Sequence, residues 1–221
     1  GERALLARAA AIARAGKQPE QLALASCARS TSFWVESLND SASAELSIAK
    51  AALARAGSTV DPIVRSRCLE AEGKALEASG QGDSAVTLLR QAVALFDDKP
   101  TDSYRLGMIT ALSELLRLTN HHREAAALQQ KVVRDLVGVG LTNAEAFPNV
   151  LTFLDRTLAD LGELHVVDSI VGGLIREREA AAGSSRVPLL MSFLHGMNKQ
   201  RLGEIDSADH WLGRAMSVPS A

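Results

Sequence analysis

One pattern occurs four times along this chain of 221 residues: an apolar helix end, a tight polar or glycine turn, and a second helix with a small or apolar residue near its second turn. Aligning the turns brings one set of residues into register at steps of about 40–42 residues: Ala85, Ala125, Val167 and Ala208. Seven positions later the alignment selects Ala92, Val132, Leu174 and Ala215, and extended backwards it selects Ala44 and Ala51. A fixed step of this length is typical of stacked repeats, in which each unit buries its apolar face against its neighbours.

Helical periodicity runs through nearly the whole chain, and strand-like alternation never persists. The first helix is predicted over Glu2–Ala15 and is expected to end at Gly16, because glycine favours the conformation that closes a helix. Further helices are predicted to begin at the Asn39-Asp40-Ser41 turn, with an N-cap there, and at Asp61-Pro62. Aromatic residues make up only 4% of the chain, which favours closely packed helices with an alanine- and leucine-rich core. The predicted fold class is therefore all-α.

Small residues seven positions apart have a physical reason in a two-helix repeat. They let the second helix of a unit approach its neighbours to about 8 Å, near the lower end of helix packing distances. Larger residues four positions after the first small one, such as Leu89 and Leu212, are expected to fill the groove between the helices. The turn residues Gly80, Asn120, Gly162 and Gly203 can all adopt a left-handed backbone.

These motifs resemble the tetratricopeptide (TPR) repeat family, in which a first helix, A, ends at a turn glycine and a second helix, B, carries alanine, a bulky apolar residue and alanine. The residues that match best are Gly73, Gly80, Ala85, Leu89 and Ala92 in one unit and Gly196, Gly203, Ala208, Leu212 and Ala215 in the last. The consensus Trp and Tyr of helix A are replaced by Ile109, Leu116, Leu151 and Leu158. The long step is similar to that of kinesin light chain and of some bacterial transcriptional activators and kinase tails.

The resemblance implies a right-handed α-solenoid, a superhelix of stacked antiparallel helix pairs, with armadillo-like or HEAT-like stacking as the alternative. It covers the whole chain, so we expect a single domain, 1–221, of about five repeats. Their predicted bounds are a half repeat at 1–16, then 17–57, 58–99, 100–140, 141–183 and 184–221. Because the chain begins with Gly1, we expect it to be a fragment of a longer protein or to carry a tag remnant.

Charge and hydropathy limit the possible functions. The 24 Lys and Arg residues face 26 Asp and Glu residues, a balance that argues against direct nucleic-acid binding. No run approaches 18 apolar residues, so the sequence predicts no membrane span. The cysteines, Cys27 and Cys68, stand far apart outside any paired motif. We predict that they are buried free thiols in a reducing compartment, rather than a disulfide, and that the protein is cytoplasmic.

Catalytic and metal-binding patterns are weak. His121 and His122 are adjacent, so on a helix they point about 100° apart and do not share a ligand face. His195 lies in an apolar stretch and is predicted to be a buried, satisfied side chain rather than a catalyst. Gly172-Gly173 inside a helix predicts a close helix contact or a local break. We predict no enzyme activity, no cofactor and no metal.

The TPR resemblance implies that A helices line the concave face and recognise a ligand there. Counting back from the turns, the predicted contact residues are Arg29, Phe33, Arg67, Glu70, Lys74, Glu77, Thr110, Glu114, Arg117, Asn149, Thr152 and Arg156. The predicted function is a protein- or peptide-binding scaffold or sensor in a larger bacterial signalling or regulatory protein. The alternative is a domain gated by a small molecule or peptide that controls an attached kinase or transcription-factor domain. A second copy of the chain, bound through the terminal repeats, is a further candidate partner. An α-helical enzyme is the third hypothesis.

Overall fold

A computed structural model describes residues 2–99, 102–141, 146–182 and 189–217. Within these ranges the chain forms eleven α-helices and no strand, as the sequence predicts. The helices divide into two compact units, Gly1–Thr119 and Asn120–Ala221. Even-numbered helices take the A position of each pair and odd-numbered helices the B position.

Unit 1 contains α1 (Glu2–Ala15), α2 (Pro19–Val35), α3 (Asn39–Ala56), α4 (Pro62–Ala78), α5 (Gly82–Ala94) and α6 (Ser103–Leu118). The A helix α2 packs against α1 and α3 and also against the next A helix, α4, which in turn contacts α5 and α6. Asp61 caps α4 by accepting a hydrogen bond from the Ile63 backbone N–H at 2.7 Å, with Pro62 in the first turn. The predicted start at Asp61-Pro62 is confirmed.

Unit 2 contains α7 (His122–Gly138), α8 (Ala146–Asp160), α9 (Leu164–Ala182), α10 (Leu189–Arg201) and α11 (Ile205–Met216). Consecutive helices pack against each other from α7 to α11, and the A helix α8 also contacts the next A helix, α10. Among the residues that the structure describes, no helix has both the length and the hydropathy needed to cross a membrane.

The predicted seam of small residues is confirmed on four B helices. The first member of each pair, three residues after the helix start, is almost fully buried: Ala85, Ala125, Val167 and Ala208. The later members, Ala92, Val132, Leu174 and Ala215, are buried as well. On α3 the prediction was wrong by two residues: Ala44 and Ala51 are exposed, whereas Ala42 and Ala49 are completely buried.

This shift begins in the turn before α3. Ser37 has the left-handed backbone there (φ 59°), and the Ala42 backbone N–H donates to the Leu38 carbonyl at 3.0 Å. Leu38 is therefore the N-cap, without a side-chain cap, and Asn39 already lies inside the helix, so the predicted N-cap in Asn39-Asp40-Ser41 is wrong. Sequence reasoning chose Asn39 because asparagine and aspartate favour turns, while nothing in a serine predicts a positive φ.

Helix ends elsewhere follow the prediction closely. Asn120 (φ 63°) and the predicted turn glycines are left-handed: Gly80 (φ 78°), Gly162 (φ 73°) and Gly203 (φ 80°). At the end of α1 the left-handed residue is Lys17 (φ 52°) rather than Gly16. The predicted bounds of α1, Glu2–Ala15, are confirmed, and the last helical hydrogen bond is donated by the Gly16 N–H to the Ile12 carbonyl at 2.8 Å.

The two cysteines correct a prediction. Cys27 on α2 and Cys68 on α4 form a disulfide with a Cα–Cα distance of 5.0 Å, and both residues are buried. The prediction of free thiols was wrong because it treated the cysteines as isolated positions. Their separation of 41 residues equals about one repeat, so stacking places them side by side on neighbouring A helices.

Candidate functional site

The predicted contact residues form stripes on the A helices. On α4, Arg67, Glu70, Lys74 and Glu77 follow the three- and four-residue spacing of one helix face, and Thr110, Glu114 and Arg117 do so on α6. Because α4 packs against both α2 and α6, these stripes lie on neighbouring helices of unit 1. We call the residues on α4 and α6 the A-helix stripe.

Charges within the A-helix stripe are already paired along each helix. The Arg67 Nη1 donates to Glu70 Oε2 at 3.0 Å, and the Lys74 Nζ donates to Glu77 Oε2 at 2.8 Å. On α6 the Arg117 guanidinium donates to both carboxylate oxygens of Glu114, at 2.9 and 3.1 Å. The stripe is thus a row of oriented, opposite charges with no excess of either sign among these pairs.

Side chains of the stripe also link the two helices. The Arg67 guanidinium carbon lies 5.4 Å from the centroid of the Tyr104 ring on α6, within the range of a cation–π contact. The Arg67 side chain is still 40% exposed, so it keeps N–H groups available to a ligand. Thr110 donates its hydroxyl to the Leu106 carbonyl at 2.9 Å and therefore contributes a methyl group rather than a free hydroxyl donor.

On α2 the two predicted residues, Arg29 and Phe33, contact side chains of α3 and α1. The Arg29 Nη1 lies 2.6 Å from the Oε1 of Glu45 on α3, and Glu45 is only 8% exposed. The Phe33 ring stands between two guanidinium groups, at 5.7 Å from Arg29 and 5.8 Å from Arg3 of α1. Arg29 and Phe33 therefore tie α2 to its B-helix neighbours.

The left-handed turns give the register of α2. Counted back from Ser37, as Lys74 and Glu77 are counted from Gly80, the equivalent positions are Thr31 and Trp34. Trp34 indeed borders a cavity of about 290 Å³ together with Lys74 and Glu77. The indole Nε1 of Trp34 is buried and has no hydrogen-bond partner among the described residues. Sequence reasoning missed this role of Trp34 for the same reason that it misplaced the start of α3.

In unit 2 the predicted residues lie on α8. Asn149 and Arg156 are exposed, and Thr152 donates its hydroxyl to the Pro148 carbonyl at 2.9 Å. The Arg156 guanidinium carbon lies 5.7 Å from the Phe153 ring centroid on the same helix. Beside them, Asp155 is 4% exposed and accepts a hydrogen bond from Arg201 of α10 at 3.0 Å, so Asp155 joins two A helices.

His195 on α10 is the centre of a polar cluster inside unit 2. Its Nδ1 lies 3.0 Å from Oδ1 of Asp168 on α9, and the Trp211 ring of α11 meets it edge-on at 4.9 Å. Burial lowers the pKa of His195, and the carboxylate of Asp168 opposes that shift only in part. A Cβ on Gly172 would come within 3.2 Å of the His195 ring, so the predicted close contact at Gly172-Gly173 is confirmed at Gly172.

Lys199 completes the cluster. Its ammonium group donates to Asp168 at 2.8 Å and to Glu204 at 2.9 Å, and these hydrogen bonds raise the pKa of Lys199. These contacts join the C-terminal half of α10 to α9 and to the turn before α11, which is a structural role. Among the residues that the structure describes, no group of three histidine, cysteine or acidic residues is arranged to hold a metal ion. His122 Nδ1 lies 3.7 Å from Asp160 Oδ2, and this pair is not part of such a group in the described residues.

Comparison with known proteins identifies the fold. No family model matches the sequence, and no curated protein matches it. A solved structure from Podosopora anserina, described as a kinesin light chain with nearly identical TPR-like repeats, aligns with a TM-score of 0.72 at 18% identity, over 90% of this chain and 95% of that one. BtubC (BKLC) from P. vanneervenii aligns with a TM-score of 0.70 at 13% identity, over 99% of this chain and 93% of that one.

A third similar structure is the Rap conjugation gene regulator of plasmid pLS20, in complex with the Phr* peptide. It aligns with a TM-score of 0.53 at 12% identity, over 89% of this chain and 52% of the regulator. At these identities the likeness concerns the backbone. Helix pairs, left-handed turns, the alanine seam and these matches together show that the chain has the TPR-like repeat fold.

Proposed function

We propose that this chain is a non-catalytic module that binds a protein or an extended peptide segment across the A-helix stripe. The observation that carries the proposal is the row of oriented charges on α4 and α6 beside the Trp34 cavity. A peptide offers backbone donors and acceptors as well as side chains of both charges. Such a ligand suits a stripe of alternating charge better than a polyanion or a purely apolar ligand does.

Recognition then divides between two kinds of contact. The Trp34 cavity accepts one apolar side chain, and its 290 Å³ are enough for a single large residue of a ligand but not for a folded element. Arg67 and Lys74, whose side chains are 40% and 32% exposed, exchange their intrahelical carboxylate partners for ligand carboxylates or backbone carbonyls. Ion pairs near the surface contribute little stability, so the exchange costs little. The predicted contact residues of α8 are proposed separately, as ligand contacts within unit 2.

The setting is part of the proposal. We place the module in a bacterial signalling or regulatory protein, because alanine- and arginine-rich usage is common in bacterial chains and because peptide binding is described for one of its structural neighbours, the Rap regulator. A cytoplasmic location remains a prediction. The Cys27–Cys68 disulfide favours an oxidising compartment over the cytoplasm, because disulfides persist mainly in oxidising compartments. Control of an attached output domain, the alternative function, remains a prediction too.

The test uses peptides selected from a random display library on the wild-type chain. Arg67→Glu reverses a charge of the stripe, while Arg65→Glu makes the same change two residues away, on another face of α4, at an exposed arginine. We expect Arg67→Glu to weaken the selected peptides by about tenfold or more, since hydrogen bonds to charged groups contribute ~1.5–3 kcal/mol. Arg65→Glu leaves their affinity within about twofold.

Arg29→Glu is unsuitable as a test. It places a second carboxylate against the buried Glu45 and so changes the stability of the α2–α3 pair.

Equal binding of the selected peptides to the Arg65→Glu and Arg67→Glu variants contradicts the proposal. So does a wild-type selection that yields no enriched peptide.

A further inference from the structure

A second cavity lies in unit 1 on the side of α2 that faces α1 and α3. It measures about 670 Å³, within the 300–1,000 Å³ range typical of small-molecule sites. Leu22 of α2, Ile48 of α3 and the ring of Pro19 supply its apolar walls, and the exposed Ala51 methyl stands at its edge. We call it the α1–α3 cavity. None of its lining residues belongs to the A-helix stripe.

Three cations surround this apolar space. Arg14 comes from the last turn of α1, Lys17 from the turn that follows, and Arg55 from the last turn of α3. No acidic side chain is among the described residues that line the cavity, and none of the three cations has an ion-pair partner in the described part of the chain. In contrast, Lys50 on the same α3 helix is paired with Glu72.

The acidic residue nearest in sequence to this cavity is held elsewhere. Glu20, in the first turn of α2, accepts a hydrogen bond from the Asp61 backbone N–H in the connection between α3 and α4. Glu20 is therefore occupied by that contact and does not line the cavity. The positive charge of the rim remains uncompensated by the protein, and a ligand with one negative charge and an apolar body complements both parts of the site.

We propose that the α1–α3 cavity binds a small free carboxylic acid with an aliphatic or aromatic body. The body lies against Leu22, Ile48 and Pro19, and the carboxylate accepts hydrogen bonds from Arg14 and Arg55, whose guanidinium groups suit its two oxygens. Lys17 adds a point charge beside them. This site is independent of the proposed peptide-binding function, and either can fail without the other.

Octanoate and hydrocinnamate are the probes. Their binding is measured by calorimetry and by the chemical-shift changes of the alanine methyl groups. Octylammonium has the same aliphatic body as octanoate but the opposite charge. We expect saturable binding of both carboxylates, and no saturable binding of octylammonium, because three cations repel it.

Two matched pairs of variants locate the site. Ala51→Trp fills the cavity from its edge and should abolish octanoate binding, whereas Ala44→Trp, at another exposed alanine of α3, should leave it unchanged. Arg14→Gln combined with Arg55→Gln should weaken octanoate binding by about fourfold or more, at roughly two- to fivefold for each charge. Arg8→Gln, an exposed arginine of α1 outside the cavity, is the charge control.

Circular dichroism checks that each variant remains helical, and the arginine variants keep the test decisive if Ala51→Trp does not fold. The proposal is overturned if neither carboxylate binds, if octylammonium binds as well as octanoate, or if Arg8→Gln weakens octanoate as much as the double variant does. Binding of acidic peptides without any binding of the free acids also overturns it.

Discussion

Gly73 and Gly196 occupy the same position of two repeats, and the structure predicts opposite results for replacing them with alanine. A Cβ on Gly73 of α4 would lie 3.6 Å from Leu89 Cγ and 3.7 Å from the Ala85 carbonyl oxygen, which is ordinary contact. A Cβ on Gly196 of α10 would lie 2.8 Å from Leu212 Cγ and 3.0 Å from the Leu212 backbone nitrogen. There α11 would have to move away from α10.

The expected free energies follow from two contributions. Alanine in place of glycine in a helix interior stabilises by about 1 kcal/mol in both cases. Overpacking at Gly196 costs about 1–3 kcal/mol, because backbone as well as side-chain atoms must shift. Gly73→Ala should therefore stabilise unit 1 by up to about 1 kcal/mol. Gly196→Ala should destabilise unit 2 by about 1 kcal/mol, and the difference between the two variants equals the packing cost.

The chain provides a probe for each unit, since Trp34 lies in unit 1 and Trp211 in unit 2, and these are its two tryptophans. Urea denaturation followed by Trp fluorescence in a Trp211→Phe background reports on Gly73→Ala, and in a Trp34→Phe background on Gly196→Ala. Each variant is compared with its own background. Equal shifts of the same sign in the two units would refute the reasoning, because they would show that the difference in clearance has no energetic consequence.

Two further predictions concern the disulfide and the buried histidine. Replacing both Cys27 and Cys68 with alanine should lower the free energy of unfolding of unit 1 by about 4 kcal/mol, the loop-closure value for a separation of 41 residues. Urea denaturation with and without reductant measures it, and equal stability of the oxidised and reduced wild-type chains would contradict it. Burial lowers the pKa of folded His195 below its usual 6.5, so as the pH falls this imidazole is protonated at a higher pH in the unfolded chain than in the folded chain. The stability that neutral His195 contributes is therefore present above pH 6.5 and is lost as the pH falls below it, through the lower folded pKa. Denaturation of unit 2 at a series of pH values checks this result, and an unchanged pH dependence in His195→Gln would contradict it.

Seam and turn positions were predictable from sequence because they depend on local physics. The seam positions, such as Ala85 and Ala92, lie at fixed distances from a residue with a left-handed backbone. In four of the repeats that residue is a glycine or an asparagine, which the sequence identifies directly. The one repeat that uses Ser37 instead was misread by two residues. That single displacement moved the predicted seam of α3 from Ala42 to Ala44. It also placed Phe33 at the α2 position equivalent to Lys74, for which the count from Ser37 gives Thr31.

Contacts between repeats were not predictable in the same way. Arginine is usually exposed, so the sequence gives no sign that Arg29 of α2 forms a largely buried ion pair with Glu45 of α3. Asp155 and Arg201 pair across 46 residues, and nothing in either neighbourhood indicates the other. The α1–α3 cavity likewise collects side chains from three helices, and no one of their sequence segments marks it.

By itself the sequence determined that the chain is all-helical, that its repeat is about 41 residues long and which face of most B helices is buried, because periodicity and turn chemistry act within a few residues. The tertiary structure alone decided which side chains meet across the repeats: the Cys27–Cys68 bond, the His195 cluster and the orientation of Arg29. These pairings depend on the stacking register, and a two-residue shift turns a helix by about 200°, enough to exchange its buried and exposed faces.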